Sequence, residues 1–162
     1  MFSRAANALL LASWLALAPT GATAAPLAAS FKSLLNVASV GPGTNPCGTG
    51  RVPLATSGNG LDTFGSFTFT AQLCANPATL QFSGQVRIVH SSADVFFATF
   101  NGTFIPSGES MEVHEFFRIT GGKGRFSQMT GAGTAKGVAS VVNGGPGPGT
   151  VALDGSIFLP NN

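Results

Sequence analysis

Apolar and polar residues alternate along much of this chain, with the period of two that is typical of strands with one buried face. The clearest run covers 80–88, where one face carries Leu80, Phe82, Gly84, Val86 and Ile88. Similar runs place on one face Phe67, Phe69, Ala71 and Leu73, then Met111, Val113, Phe117 and Ile119, and finally Val151, Leu153, Ile157 and Leu159. Weaker alternation at 25–40 and 94–105 predicts two further strands.

Segments rich in Gly, Pro and Asn separate these runs and predict turns or loops. A long loop is predicted over 41–61, and a shorter Gly/Pro loop over 143–149. Tight turns are predicted at Asn76-Pro77 and at 106–108, and the glycines of 121–124 are expected to break a strand. Residues 131–142 are small or β-branched. Short strands thus recur throughout the chain, with turn signals between them.

No segment after residue 24 has a convincing helical period, so we predict an all-β fold. Hairpin-linked strands with one apolar face must curl or stack to bury it. A small antiparallel β-barrel of about eight strands does so and leaves no exposed edge. A two-sheet sandwich is the structural alternative. An outer-membrane barrel fits less well, because such barrels carry girdles of aromatic residues at the membrane interfaces. This chain has no Tyr, and its one Trp, Trp14, precedes the predicted strands.

The first 24 residues have the order of a secretory signal peptide. Arg4 is followed by an apolar run over 8–18, a helix-breaking Pro19, and the small-x-small sequence Ala22-Thr23-Ala24. The run is too short to span a bilayer, which needs about 20 apolar residues. We therefore predict a signal peptide over 1–24, a single barrel domain over 25–162, and a secreted or periplasmic location with no membrane span after cleavage.

Charge and cysteine content narrow the picture. Lys and Arg total 8 and Asp and Glu total 6, a balance that does not favour nucleic acid as a partner. Charged residues are only 9% of the chain, which disfavours helical surfaces. Cys47 and Cys74 form an even pair in a chain predicted to be exported, so we predict a disulfide between them. The sequence leaves the oligomeric state open.

The stretch from Phe117 to Gly131 contains the spacing G-G-x-G-x-F-x-x-x-x-G after an apolar strand. It resembles the plant dirigent proteins and allene oxide cyclases, and exported bacterial proteins of the same calycin-like barrel type. The resemblance covers about residues 60–142, including the hairpin over 85–104. It implies an eight-stranded antiparallel barrel whose apolar cavity holds a reactive molecule in one conformation. The glycines also suit a sharp turn, after which Phe126 would fold back over the barrel end.

Common catalytic and cofactor motifs are incomplete in this sequence. Gly122-Lys123-Gly124 completes neither a dinucleotide fingerprint nor a phosphate loop, and no Ser lies in G-x-S-x-G. The run from His114 to Arg118 begins like a zinc-protease motif, but Arg118 occupies the position of the second His. We therefore expect no cofactor and no metal site.

Two polar residues fall on predicted inward faces and are the candidate site residues. Glu115 lies between Val113 and Phe117, and His90 continues the face that runs from Leu80 to Ile88. A buried carboxyl is disfavoured unless it is paired, and such local conflicts often mark function. If there is a chemical site, Glu115 is its predicted catalytic centre and His90 a possible neighbour. The alternative is that both lie near strand ends and reach water or a partner.

Three function classes follow. The leading hypothesis is a secreted barrel that binds a small apolar ligand, since phenylalanines dominate the inward faces. The second is a dirigent- or cyclase-like enzyme, as the resemblance implies. The third is a structural or surface-interaction module whose barrel is filled by its own side chains. A cavity of a few hundred Å³ is expected to separate the first two from the third.

Overall fold

Each strand of the chain pairs antiparallel with the next one, and the last strand pairs with the first, so the sheet closes into a barrel. A computed structural model describes residues 27–160. Its strands are β1 (Leu27–Pro42), β2 (Val52–Asp62), β3 (Gly65–Ala75), β4 (Gln81–Val89), β5 (Val95–Ser107), β6 (Ser110–Lys123), β7 (Thr130–Val142) and β8 (Gly145–Leu159). The predicted all-β antiparallel barrel of about eight strands is confirmed, and the two-sheet sandwich is wrong.

The strands are strongly staggered around the barrel. The stagger can be measured by starting at one residue and moving to its register partner on each next strand until the first strand is reached again. A path that starts at Ala75 on β3 returns to β3 at Gly65, so the offset is ten residues. The path runs through Phe82, Gly102, Glu115, Ala135, Leu153, Ser33 and Asp62. Stagger, tilt and diameter are linked in a closed barrel, so a large offset tilts the strands and widens the interior. This width leaves room for several aromatic side chains and a cavity.

The two ends of the barrel differ. The connections 63–64, 90–94 and 124–129 form one end, which we call the closed end. A 3-10 turn (Gly124–Phe126) lies there and buries its Phe126 side chain. Phe126 and Met129 are 1% and 0% exposed there. The open end is formed by the connections 43–51, 76–80, 108–109 and 143–144. The main core cluster surrounds the closed end and contains Phe31, Phe67, Phe96, Phe126 and Ile157, among others.

Two sequence predictions about loops are wrong. Residues 52–61 of the predicted loop over 41–61 belong to strand β2, in which Gly58 and Gly60 face inward and leave space for the rings of Phe69 and Phe67. The predicted loop over 143–149 reduces to a short turn, since β8 already begins at Gly145. The predicted strand break over 121–124 is confirmed, since β6 ends at Lys123 and the 3-10 turn begins at Gly124.

Cys47 and Cys74 form the predicted disulfide, with Cα atoms 5.7 Å apart. It ties the β1–β2 connection to the end of β3, next to the open end of the barrel. The predicted signal peptide over 1–24 lies outside the described residues. Within residues 27–160, no helix is long and apolar enough to cross a membrane.

We expect that replacing both Cys47 and Cys74 by Ser lowers the free energy of unfolding by about 3 kcal/mol, because an unlinked chain gains loop entropy when it unfolds. Urea denaturation of the double variant and of the oxidised wild type measures the difference. Equal stability of the two proteins would show that the disulfide does not restrain the open end.

Candidate functional site

An apolar cavity lies inside the barrel and reaches the surface at the open end. Its volume is about 110 Å³, and its lining includes seven phenylalanines. Val40, Val138 and Pro146, which are exposed or half-buried, line it where it meets the surface. Of the described residues that line the cavity, only Thr56 and Glu115 carry polar side chains. The cavity is smaller than the predicted few hundred Å³ and is of the same order as, though smaller than, the apolar cavity of about 150 Å³ that binds benzene in another protein.

The strand ladder places Glu115 in the wall of this cavity, near the middle of β6. Its register partners are Gly102 on β5 and Ala135 on β7, so small residues flank it on both sides. A Cβ atom at Gly102 would lie 2.7 Å from both the Cβ of Glu115 and the Cζ of Phe82. Glu115 and Phe82 are therefore neighbours across the gap that this glycine leaves.

The Glu115 carboxyl has neither a hydrogen-bond partner nor an ion-pair partner among the described residues. Burial alone raises the pKa of Glu115 from 4.5 to about 7. Arg51, His114 and Lys136 line a groove on the outer side of the same wall, yet none of them contributes to the shift. A carboxyl with a pKa near neutrality can accept or release a proton under physiological conditions.

His90 lies at the closed end, in a different environment. Its side chain is 4% exposed, and its Nε2 lies 3.1 Å from Oδ2 of Asp62, whose side chain is fully buried. The Asp62 Oδ1 atom accepts a hydrogen bond of 2.7 Å from the Phe64 amide. Burial raises the pKa of Asp62 above its usual value, while the Phe64 amide, His90 and Arg125 favour its carboxylate form.

Aromatic side chains enclose the Asp62–His90 pair. The rings of Phe64, Phe67, Phe96 and Phe126 lie 5.0–6.2 Å from the His90 ring, measured between centroids. Arg125 covers this cluster from outside, with its guanidinium carbon 4.8 Å from the centroid of the Phe126 ring. Its Nε lies 3.5 Å from Oδ2 of Asp94. These contacts hold the turn that closes this end of the barrel. Phe126 folds back over the barrel end, as the sequence predicted.

The structure does not bring His90 beside Glu115. His90 does not line the cavity, and Phe96 separates the two regions by packing against His90 while also lining the cavity. The suggestion that the two residues share one site is therefore wrong. The neighbour of His90 is Asp62, which sequence reasoning missed because it directly follows the predicted loop over 41–61. Its one signal was an acidic residue two positions before Phe64 in a chain with few charges.

Within residues 27–160, no three His, Cys, Asp or Glu side chains come together in an arrangement that could hold a metal ion. The two acidic groups inside the barrel lie in different surroundings. Asp62 is paired with His90 in an aromatic cluster, and Glu115 has no partner among the described residues and lies beside a cavity.

No protein-family model, curated protein or solved structure matches this chain. The fold and the site nonetheless define a class by their geometry. The protein is a closed eight-stranded antiparallel β-barrel. Its apolar cavity opens at one end, and of the residues in 27–160 that line it, Glu115 is the ionisable one.

We expect Glu115 to make stability depend on pH. The folded protein holds this proton up to about pH 7, whereas the unfolded chain releases it near 4.5. The stabilisation is therefore complete below pH 4.5 and is lost as pH rises through 7, by about 3 kcal/mol. Glu115→Gln lacks this titration, while every other group is unchanged. The wild-type free energy of unfolding minus that of the variant should fall by this amount between pH 4 and 8; a constant difference would contradict the unpaired, buried carboxyl.

We expect the Asp62–His90 pair to be structural. Asp62→Ala leaves His90 buried without a partner and should lower the free energy of unfolding by about 3–5 kcal/mol. The double variant Asp62→Leu/His90→Phe replaces both partners by apolar groups and should lie within about 1 kcal/mol of the wild type. Thermal and urea unfolding measure both variants. A double variant as unstable as Asp62→Ala would contradict this account.

Proposed function

We propose that the protein is exported and that its barrel binds a small, mainly apolar molecule in the cavity that opens at the open end. The observation that carries this proposal is the lining: apolar side chains throughout, with one hydroxyl and one carboxyl as polar groups. Ligand sites commonly combine apolar walls with a few polar groups that fix orientation. The disulfide supports export, since such bonds persist in oxidising compartments.

The size of the cavity limits the ligand. Drug-sized ligands need about 300 Å³ or more, so a volume of about 110 Å³ suits a short alkyl chain or a single ring. The plug at the closed end blocks the opposite entrance, because Phe126 and Met129 are buried across it. The ligand therefore enters past Val40, Val138 and Pro146 and meets Glu115 inside.

We further propose that the barrel is of the allene oxide cyclase/dirigent type. Two features support this: the closed antiparallel barrel of eight strands, which the resemblance implies, and the Gly-rich motif, which forms the closed-end turn that buries Phe126. The resemblance rests on the motif over 117–131, and the barrel architecture agrees with it.

A dirigent- or cyclase-like enzyme is the second candidate function, and the position of Glu115 favours it. A carboxyl with a pKa of about 7 in an apolar cavity is suited to general acid or base chemistry. The same cavity would hold a reactive substrate in one conformation. Conversion of a bound compound, abolished by Glu115→Gln while binding persists, would favour the enzyme over a binding protein.

We expect native mass spectrometry of protein exported by its own host to detect a co-purified apolar molecule on a chain that lacks residues 1–24. Ala98→Leu fills the cavity and should abolish this binding, since Ala98 lines it and is 4% exposed. Ala152→Leu adds the same atoms at an exposed position on β8 and should leave binding intact. Ala71→Val is a smaller change at another lining position, in case Ala98→Leu overpacks the core.

Two results would contradict the proposal. Exported protein that retains residues 1–20 would refute cleavage of the signal peptide. Absence of any bound or bindable apolar molecule, together with an Ala98→Leu variant that is more stable than the wild type, would instead favour a structural module whose barrel is merely incompletely filled.

A further inference from the structure

The chemistry of the cavity distinguishes between ligands of different charge. Glu115 is the only ionisable residue among the described residues that line it. No Lys, Arg or His of the described residues lines this cavity, and the strand neighbours of Glu115, Gly102 and Ala135, carry no charge. Glu115 is therefore a half-buried carboxyl with no ion-pair partner among the described residues.

A second anion in this cavity would be repelled. Two like charges in a poorly solvated interior interact more strongly than in water, and no cationic donor among the described lining residues compensates a ligand carboxylate; the Thr56 hydroxyl is a neutral donor. A positively charged head group has the opposite effect, because it neutralises a charge that burial already penalises. The protein then regains, on binding, the favourable interaction that its unpaired carboxyl lacks.

The rings around Glu115 also suit a cation. Phe82 is its neighbour across Gly102, and the Phe82 ring lies 4.4 Å from that of Phe104 and 6.1 Å from that of Phe100, measured between centroids. All three line the cavity. The faces of aromatic rings attract ammonium groups within about 6 Å, and more strongly where water is excluded. Carboxyl and rings thus form one cation-binding surface inside an apolar pocket.

We propose that the preferred ligand is a small apolar amine, whose ammonium group pairs with Glu115 and whose hydrocarbon part fills the cavity towards the open end. This inference rests on the proposed function, since it presupposes that the cavity binds a ligand. Glu115 also lines the outer groove with Arg51, His114 and Lys136, but it forms an ion pair with none of them, and none of the three lines the cavity.

Three matched probes test the proposal: n-hexylamine, 1-hexanol and hexanoate, titrated by calorimetry into the wild type at pH 8. The hydrocarbon chain is constant, so differences report the head group. Hexylamine should bind at least tenfold more tightly than hexanol, and hexanoate should bind most weakly. In Glu115→Gln, an isosteric change, the preference for the amine should disappear while hexanol binds as before. Circular dichroism confirms that the variant is folded.

Proton release provides a second measurement that needs no variant. At pH 6 Glu115 is mostly protonated, because its pKa is about 7, whereas the amine is already charged, with a pKa near 10. Binding of hexylamine should therefore release nearly one proton per ligand at pH 6 and almost none at pH 9. Hexanol should release none at either pH. Calorimetry in buffers of different ionisation enthalpy measures the number.

The outcomes separate the two proposals. Binding of hexanol without a preference for hexylamine, or a preference for hexanoate, would overturn the amine inference and leave the apolar binding site intact. Binding of none of the three probes would contradict both. An amine preference that survives in Glu115→Gln, or amine binding without proton release at pH 6, would show that another group recognises the cation and would overturn the role of Glu115.

Discussion

Closure of the sheet by the β1–β8 ladder is the constraint on which the rest of the structure depends. A closed barrel turns every second side chain of every strand into the same interior, so the inward residues together must fill it. The stagger of the strands makes that interior wide. Phenylalanines fill it at the closed end, where Phe31, Phe64, Phe96 and Phe126 pack against one another. Small residues such as Ala71, Ala98 and Ala139 face the cavity instead, and the space they leave is the candidate site.

The two buried acids illustrate two solutions to one electrostatic problem. Asp62 is compensated by His90 and by a backbone amide, and the surrounding rings exclude water from the pair. Glu115 has no such compensation and is held among neutral neighbours beside an open space. A protein under selection for stability alone would gain from an apolar residue at 115, because an unpaired buried charge is costly. Glu115 is accordingly the buried residue that is better explained by a function than by stability.

Local pattern predicted the parts of the fold that are locally encoded. The alternation in β3, β4, β6 and β8 was sufficient to predict strands, and the charge of Glu115 within an apolar face was sufficient to single it out. Strand β2 was missed because its inward positions at 58 and 60 are glycines, whose space is filled by Phe69 and Phe67 from the next strand. The pairing of Asp62 with His90 could not be predicted from local pattern, since it joins the ends of β2 and β4, which lie on either side of β3. Nor does periodicity reveal which end is plugged, because that depends on how the turn after β6 folds back.

The central claim is that an unpaired carboxyl at Glu115 lies inside an apolar cavity, and direct titration of that carboxyl tests it most closely. Carbon-13 NMR of ligand-free protein labelled at the Glu side-chain carboxyls follows each group separately, and Glu115→Gln identifies the signal. The account predicts that the Glu115 signal titrates near pH 7. A Glu115 signal that titrates near 4.5 would show a solvated or compensated group and would contradict the account.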